Sequence, residues 1–484
     1  MTDAFETVIP RRLEGVGHSR QIEAVIPRRL AGAGHSRHNG AVIPRRLERA
    51  GHRGRIEAVM PRKLAGVGHS RHNGAVIPRR LAGAGHIIYP RRCFCENPYC
   101  ESTSRAVQFY QMRRCHDRKD AAVIWRKNDM KYPKFLPKNG TIGFVAPSFG
   151  CATEPYYSAF MHALDKFHKL GYQTKLGPNC LVEKGIGISN DPKECGAELN
   201  EAYCDGESDV LISCGGGELM CEVLPYMDFE RMKKAAPKWY MGFSDNTNFT
   251  FLSATYLDVA AIYGPCAAAF GMEPWHESVK DAFDVLTGEI HRVSGYELWE
   301  REGTKDEEHP LEPYNVTEPV VIHSFIPESR SGASQLHEVL TPQTIRLEGR
   351  LIGGCMDCLV NLLGTEFDHA KEFNERYKDE KIIWFLESCD LGIMAIRRAI
   401  WQMKHAGWFE HVGGFLIGRP LCFGEEAFGI DQYRAVTDLL AEYNVPVIMD
   451  LDIGHLAPMM PVVAGATAIV DVEGNNIQIE YTWK

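Results

Sequence analysis

From Thr141 onward the chain alternates buried-strand patterns with helical ones, and this alternation limits its fold more than any other feature. "TIGFVAP" starts as a short apolar strand and runs into a loop. "YYSAFMHALDKFHKLGY" then carries apolar residues at helical spacing and stops at Gly171. A helical pattern over about Pro192 to Tyr203 precedes the strand "DVLISC", which ends in Gly215-Gly216-Gly217. "WYMGF" is a further strand, followed by a helical pattern from Asp245 and the strand "VAAIYGP". Past residue 340 the strands "RLIGG", "KIIWFLE", "VGGFLIG" and "VPVIMD" alternate with "AIRRAIWQMKHAG" and "YRAVTDLLAEY". Such alternation predicts an α/β fold with mostly parallel sheets. Two final strand candidates, "ATAIVDV" and "NIQIEYT", flank a Glu-Gly-Asn-Asn turn.

Residues 288–340 break the pattern with the charged run "EREGTKDEEHPLEPY" and the turn-rich "PESRSGASQ". The expected organisation is an N-terminal α/β domain over 139–287, an insertion and linker over 288–340, and a C-terminal α/β domain over 341–484. A Cys-containing connecting segment spans 91–138. Residues 1–90 form a basic arm with a 17-residue repeat: "TVIPRRL" begins at Thr7, "AVIPRRL" at Ala24, Ala41 and Ala75, and "AVMPRKL" at Ala58. Each unit offers little to bury, and its Pro and Gly residues oppose regular structure, so the arm is expected to be disordered.

The net charge of −9 hides an asymmetry. Residues 1–138 carry 28 Lys/Arg against 11 Asp/Glu, which leaves 26 against 52 for the rest. Nucleic-acid contact is therefore expected only as nonspecific attraction to the arm. No apolar run is long enough to cross a membrane, and the first twenty residues lack the apolar core of a signal peptide. The 15 cysteines are scattered without a disulfide framework, which points to reduced thiols and a cytoplasmic setting. Cys93, Cys95, Cys100 and Cys115 do not have the spacing of a zinc knuckle, so no metal and no cofactor are expected.

Three places offer chemistry. In "KWYMGFSDNT" a strand runs into Ser244, and a helix follows. Ser244 is either a helix cap or a nucleophile lifted on a sharp turn, with the Asp245 amide aimed at an oxyanion beside it. "LISCGGGELM" is either a tight turn or an anion-binding nest. "IIWFLESCD" sets Glu387 at the end of a strand, and "VIMDLDIGHLAP" sets His455 just past another, where sites assemble in open α/β sheets. Ser, Glu and His then have the types a nucleophile, its orienting carboxylate and its general base require.

With "IGFVAPS", "CGGGE", "MGFSDNT", "IYGP", "LEGRLIGG", "WFLES" and "DIGHLAP" in this order, the sequence resembles the LD-carboxypeptidase family of serine peptidases. Within it, the chain is most similar to the subgroup of the microcin C immunity peptidase. The resemblance covers about Gly140 to the end. It implies two α/β domains with an interdomain active site, Ser244 as nucleophile, His455 as base and Glu387 as its carboxylate. It also implies oxyanion donors in the amides of Gly216 and Asp245. Where many members carry Asn after the Gly-Gly of "LIGG", this chain has Cys355, at a position that contacts substrate.

The implied activity is that of a serine carboxypeptidase or amidase. The first expectation is hydrolysis of L,D-linked muropeptides; the alternative is hydrolysis of peptidyl- or aminoacyl-nucleotide conjugates. For the second, Trp275 and Trp299 are candidates to stack a base, or else packing residues of the insertion. A reading of another class is a non-catalytic protein that kept the fold and binds nucleic acid through its arm. The expected partner is a small peptide or aminoacyl-nucleotide substrate, and a homodimer stays open.

Overall fold

The computed structural model describes residues 130–328, 335–341 and 343–482, with backbone at 22–24 and 56–58. The expected disorder of the arm and the Cys93, Cys95, Cys100 and Cys115 segment fall outside the described residues. Within the arm, Ile22–Ala24 pairs in parallel with Ile56–Ala58, with Ile22 opposite Ile56. These segments lie two repeat lengths apart, so each residue meets its own equivalent. Residues Lys127–Lys484 fall within one compact unit.

Two large sheets build most of that unit, beside a two-stranded pair of Leu298–Trp299 with Glu318–Pro319. β1 (Thr141–Val145), β2 (Gln173–Leu176), β3 (Val210–Ser213), β4 (Trp239–Gly242) and β5 (Ala261–Tyr263) lie parallel in the order β5-β4-β3-β1-β2. β3 and β4 are buried along their whole length, as expected of apolar runs inside a parallel sheet. The second sheet draws on β6 (Arg292–Ser294), β7 (His323–Pro327), β8 (Leu336–Glu338), β9 (Thr344–Cys355), β10 (Ile382–Glu387), β11 (Val412–Gly418) and β12 (Val447–Leu451). A short β13 (Val462–Ala464) follows, then β14 (Thr467–Glu473) and β15 (Asn476–Thr482). The second sheet's order is β8-β7-β12-β11-β10-β9-β14-β15-β6, with β9 to β12 parallel and the flanking pairs antiparallel. The irregular segment 288–340 thus supplies strands to both edges of this sheet.

Local chemistry sets the helices. α1 (Tyr156–Lys169) buries Ala159, Phe160, Ala163, Leu164 and Phe167, one stripe at helical spacing. α2 (Pro192–Cys204) begins where Asp191 accepts the Lys193 amide, with Pro192 at a position that needs no N–H. α3 (Thr247–Thr255) is buried on every face. Its Phe251 stacks on Trp408, which stacks on Trp384 of β10, so the two halves share one core.

One crossing places the site. Beyond β12 the chain leaves the second sheet, passes His455 and adds β13 antiparallel to β5 of the first sheet. It then returns as β14. His455 therefore sits on the segment that joins the sheets, and Val462 on β13 lies opposite Tyr263.

Candidate active site

Ser244 ends the turn out of β4 with φ +61°, a left-handed conformation that costs a non-glycine residue about 1–2 kcal/mol. The surrounding bonds hold it there. The buried Asn246 donates to the carbonyls of Gly215 at 2.8 Å and Phe243 at 3.0 Å, and accepts from Tyr240. Asp245 accepts the Ser148 hydroxyl at 2.6 Å and the Met220 amide at 2.8 Å. These bonds tie the loops after β1, β3 and β4 together. Burial lifts the Asp245 carboxyl to about 6, against the pull of those donors.

The second sheet brings the other two groups. Glu387, fully buried at the end of β10, accepts from His455 Nδ1 at 2.8 Å. A carboxylate only accepts, so Nδ1 carries the proton. His455 Nε2 is then the acceptor for the Ser244 hydroxyl at 2.9 Å. Gly454 has φ +113°, and a Cβ there would lie 2.5 Å from Glu387 Oε2, so only glycine lets the loop pass the carboxylate. Burial pulls the His455 pKa down. The Glu387 charge, with the imidazole's hydrogen bonds with Cys389 and to the Glu387 carboxylate, outweighs it and holds the imidazole well above its ordinary value.

Gly216 stands against the serine. A Cβ built on it would lie 3.0 Å from Ser244 Cβ and 3.1 Å from Oγ. Cys355 closes the other side. Its amide donates to Thr247 Oγ1 at 2.9 Å and its thiol to Asp357 at 3.4 Å. Asp357 in turn accepts the amides of Cys389 and Asp390, which fixes the turn after Glu387. Among the described residues, Cys355, Glu387 and His455 form the one group of metal-ligand side chains lying within 4.8 Å of one another. There Glu387 and His455 face each other as hydrogen-bond partners.

The tryptophans lie elsewhere in the packing. Trp275 joins Phe167, Phe270 and Phe283, and its indole N–H donates to the Phe270 carbonyl at 2.6 Å. Trp299 is buried, with the Arg419 guanidinium 4.6 Å over its ring and Phe423 edge-on at 5.2 Å.

A model of the LD-carboxypeptidase N-terminal domain matches residues 142–264, and one of the C-terminal domain matches 348–470. The chain belongs to the LD-carboxypeptidase family. The microcin C7 self-immunity protein MccF of Escherichia coli is 24% identical over 71% of this chain and 94% of its own length. The murein tetrapeptide carboxypeptidase of Pseudomonas aeruginosa is 22% identical over 71% of this chain and 96% of its own. A solved complex of MccF with glutamyl sulfamoyl guanosine has the same fold, with a TM-score of 0.57 at 20% identity over 72% of this chain and 98% of that one.

Within this LD-carboxypeptidase fold, three features have parts that the motifs alone did not assign. Tyr263, in "IYGP", donates to Glu387 Oε1 at 2.5 Å and accepts the Ser244 amide at 3.2 Å. A tyrosine at the end of the strand beside the one that leads to Ser244 was the available signal. Asn246 and the Asp245 side chain look in sequence like ordinary helix-start residues. Arg419, buried beyond β11, donates to Asp452 at 2.8 Å and to the Asp450 carbonyl at 3.0 Å, and so anchors the loop that carries His455. Among the described residues no helix is long and apolar enough to cross a membrane.

Proposed function

We propose that the chain is a serine-type carboxypeptidase that hydrolyses the amide before a terminal D-residue in L,D-linked muropeptides. The observation that carries this is His455 bonded at once to Ser244 Oγ and to Glu387. In the proposed course, Ser244 Oγ attacks the amide carbonyl while His455 Nε2 takes its proton. The amides of Gly216 and Asp245 receive the developing oxyanion. As the C–N bond breaks, His455 returns the proton to the leaving amine, and the substrate acyl group stays on Ser244. A water, deprotonated by the same imidazole, then attacks the ester and frees the serine. Glu387 keeps the proton on Nδ1 and stabilises the imidazolium formed in each half.

Hydrolysis of an aminoacyl-nucleotide conjugate is the second reading, supported by the ligand in the solved MccF complex. Trp299 is buried under Arg419, and the partly buried Trp275 packs on aromatic neighbours with the Lys166 ammonium 5.0 Å over its ring, which favours the peptide. The test is release of the terminal D-residue from an L,D-tetrapeptide, run beside cleavage of an aminoacyl-sulfamoyl adenosine. Faster turnover of the tetrapeptide supports the first reading. Exclusive cleavage of the adenosine conjugate would replace it with the second.

A further inference from the structure

We infer that Tyr263 is a positioning residue that closes the triad into a ring of hydrogen bonds and sets how readily His455 gives up its proton. The inference rests on the triad reading above. Starting at the Ser244 amide, the bonds run to the Tyr263 hydroxyl at 3.2 Å, to Glu387 at 2.5 Å, to His455 at 2.8 Å and back to Ser244 Oγ at 2.9 Å. Their directions are fixed by chemistry. An amide cannot accept and a carboxylate cannot donate, so the phenol accepts from Ser244 and donates to Glu387.

One oxygen therefore has two tasks. It satisfies the amide of a residue held at φ +61°, and it withdraws charge from the carboxylate that faces His455. The ring is fully buried, 5.5 Å from Phe385 and 6.4 Å from Phe243. Burial first, then the Glu387 charge, pushes the phenol well above its ordinary value, so it stays protonated.

A carboxylate that already accepts a second donor is a weaker base and stabilises the imidazolium less. Tyr263 thus lets His455 become neutral at a lower pH than Glu387 alone would allow. The other titratable groups around His455 are the thiols of Cys389 and Cys355, and Asp357 acts on Glu387 from the start of α4 (Met356–Leu362). The test leaves all of them in place.

The test is the pH dependence of Ser244 phosphonylation by a fluorophosphonate, which needs the nucleophile and its base but no identified substrate. Tyr263→Phe keeps the ring and removes one oxygen. Its acid limb should move up by about one pH unit, and its limiting rate should fall about ten- to a hundredfold. A thermal melt checks that it folds. Replacing Tyr263 by 3-fluorotyrosine, a stronger donor of the same shape, should move the limb down. An unchanged limb in both variants, with Ser244 labelled in the wild type, would overturn the inference and leave the triad standing. No labelling of wild-type Ser244 at any pH would overturn the triad and the inference with it.

Discussion

Gly216 and Ser244 are in contact across the site: a Cβ on the glycine would meet Ser244 Cβ at 3.0 Å and Oγ at 3.1 Å. Gly216→Ala should therefore push the serine off line with His455. A displacement of this size costs about a hundredfold in kcat. The thermal midpoint should also fall, since the nearest atom is Ser244 Cβ, carried on a backbone that the surrounding bonds hold at φ +61°. Parallel kinetics and melting of this variant check both parts.

In the proposed course His455 must be neutral to accept the serine proton, and its pKa lies well above the ordinary value. kcat/KM should thus rise with pH along an acid limb above about 6.5. Stability should run the other way. A histidine whose folded pKa is raised contributes stability in full below its unfolded pKa, and that contribution is lost as pH rises through the folded value. A pH series of rates and melting temperatures should show activity climbing while this share of stability falls.

Arg419 and Asp452 are both buried, and their ion pair holds the loop three residues before His455. Burial raises the Asp452 carboxyl while the Arg419 charge opposes it. Arg419→Ala would strand that carboxylate in the core, at a cost of about 3–5 kcal/mol. Adding Asp452→Ala should recover part of the loss, because the two act as a unit. Denaturant melts of the single and double variants measure it.

Ser244, Glu387 and His455 were legible because Glu387 ends β10 while Ser244 and His455 lie in the loops just past β4 and β12, and strand ends announce themselves locally. The α/β alternation was legible for the same reason. Tyr263 was not, since its partner Glu387 lies 124 residues away and only the meeting of two sheets joins them. Nor was β13: three apolar residues carry no period, and nothing in "VVA" says that it pairs with the first sheet rather than the second. The edge strands β6 and β8 are equally short, and the five-residue β7 beside β8 lies in the same charged, turn-rich segment.

Trp275 fills an aromatic cluster, so its role should be stability rather than base stacking. Trp275→Ala should cost about 3 kcal/mol of stability and lower turnover of a peptide and a nucleotide conjugate alike. Thermal melts and paired assays decide this. A selective loss on the nucleotide conjugate would instead assign the ring to a base.

In the proposed mechanism Ser244 is the nucleophile, activated by His455 and Glu387. Peptide mass spectrometry of the folded protein after fluorophosphonate treatment tests it most directly. We expect one adduct per chain on Ser244, none in Ser244→Ala, and labelling slowed about 10⁴-fold or more in His455→Ala. An adduct on another residue, or full-rate labelling without His455, would contradict it.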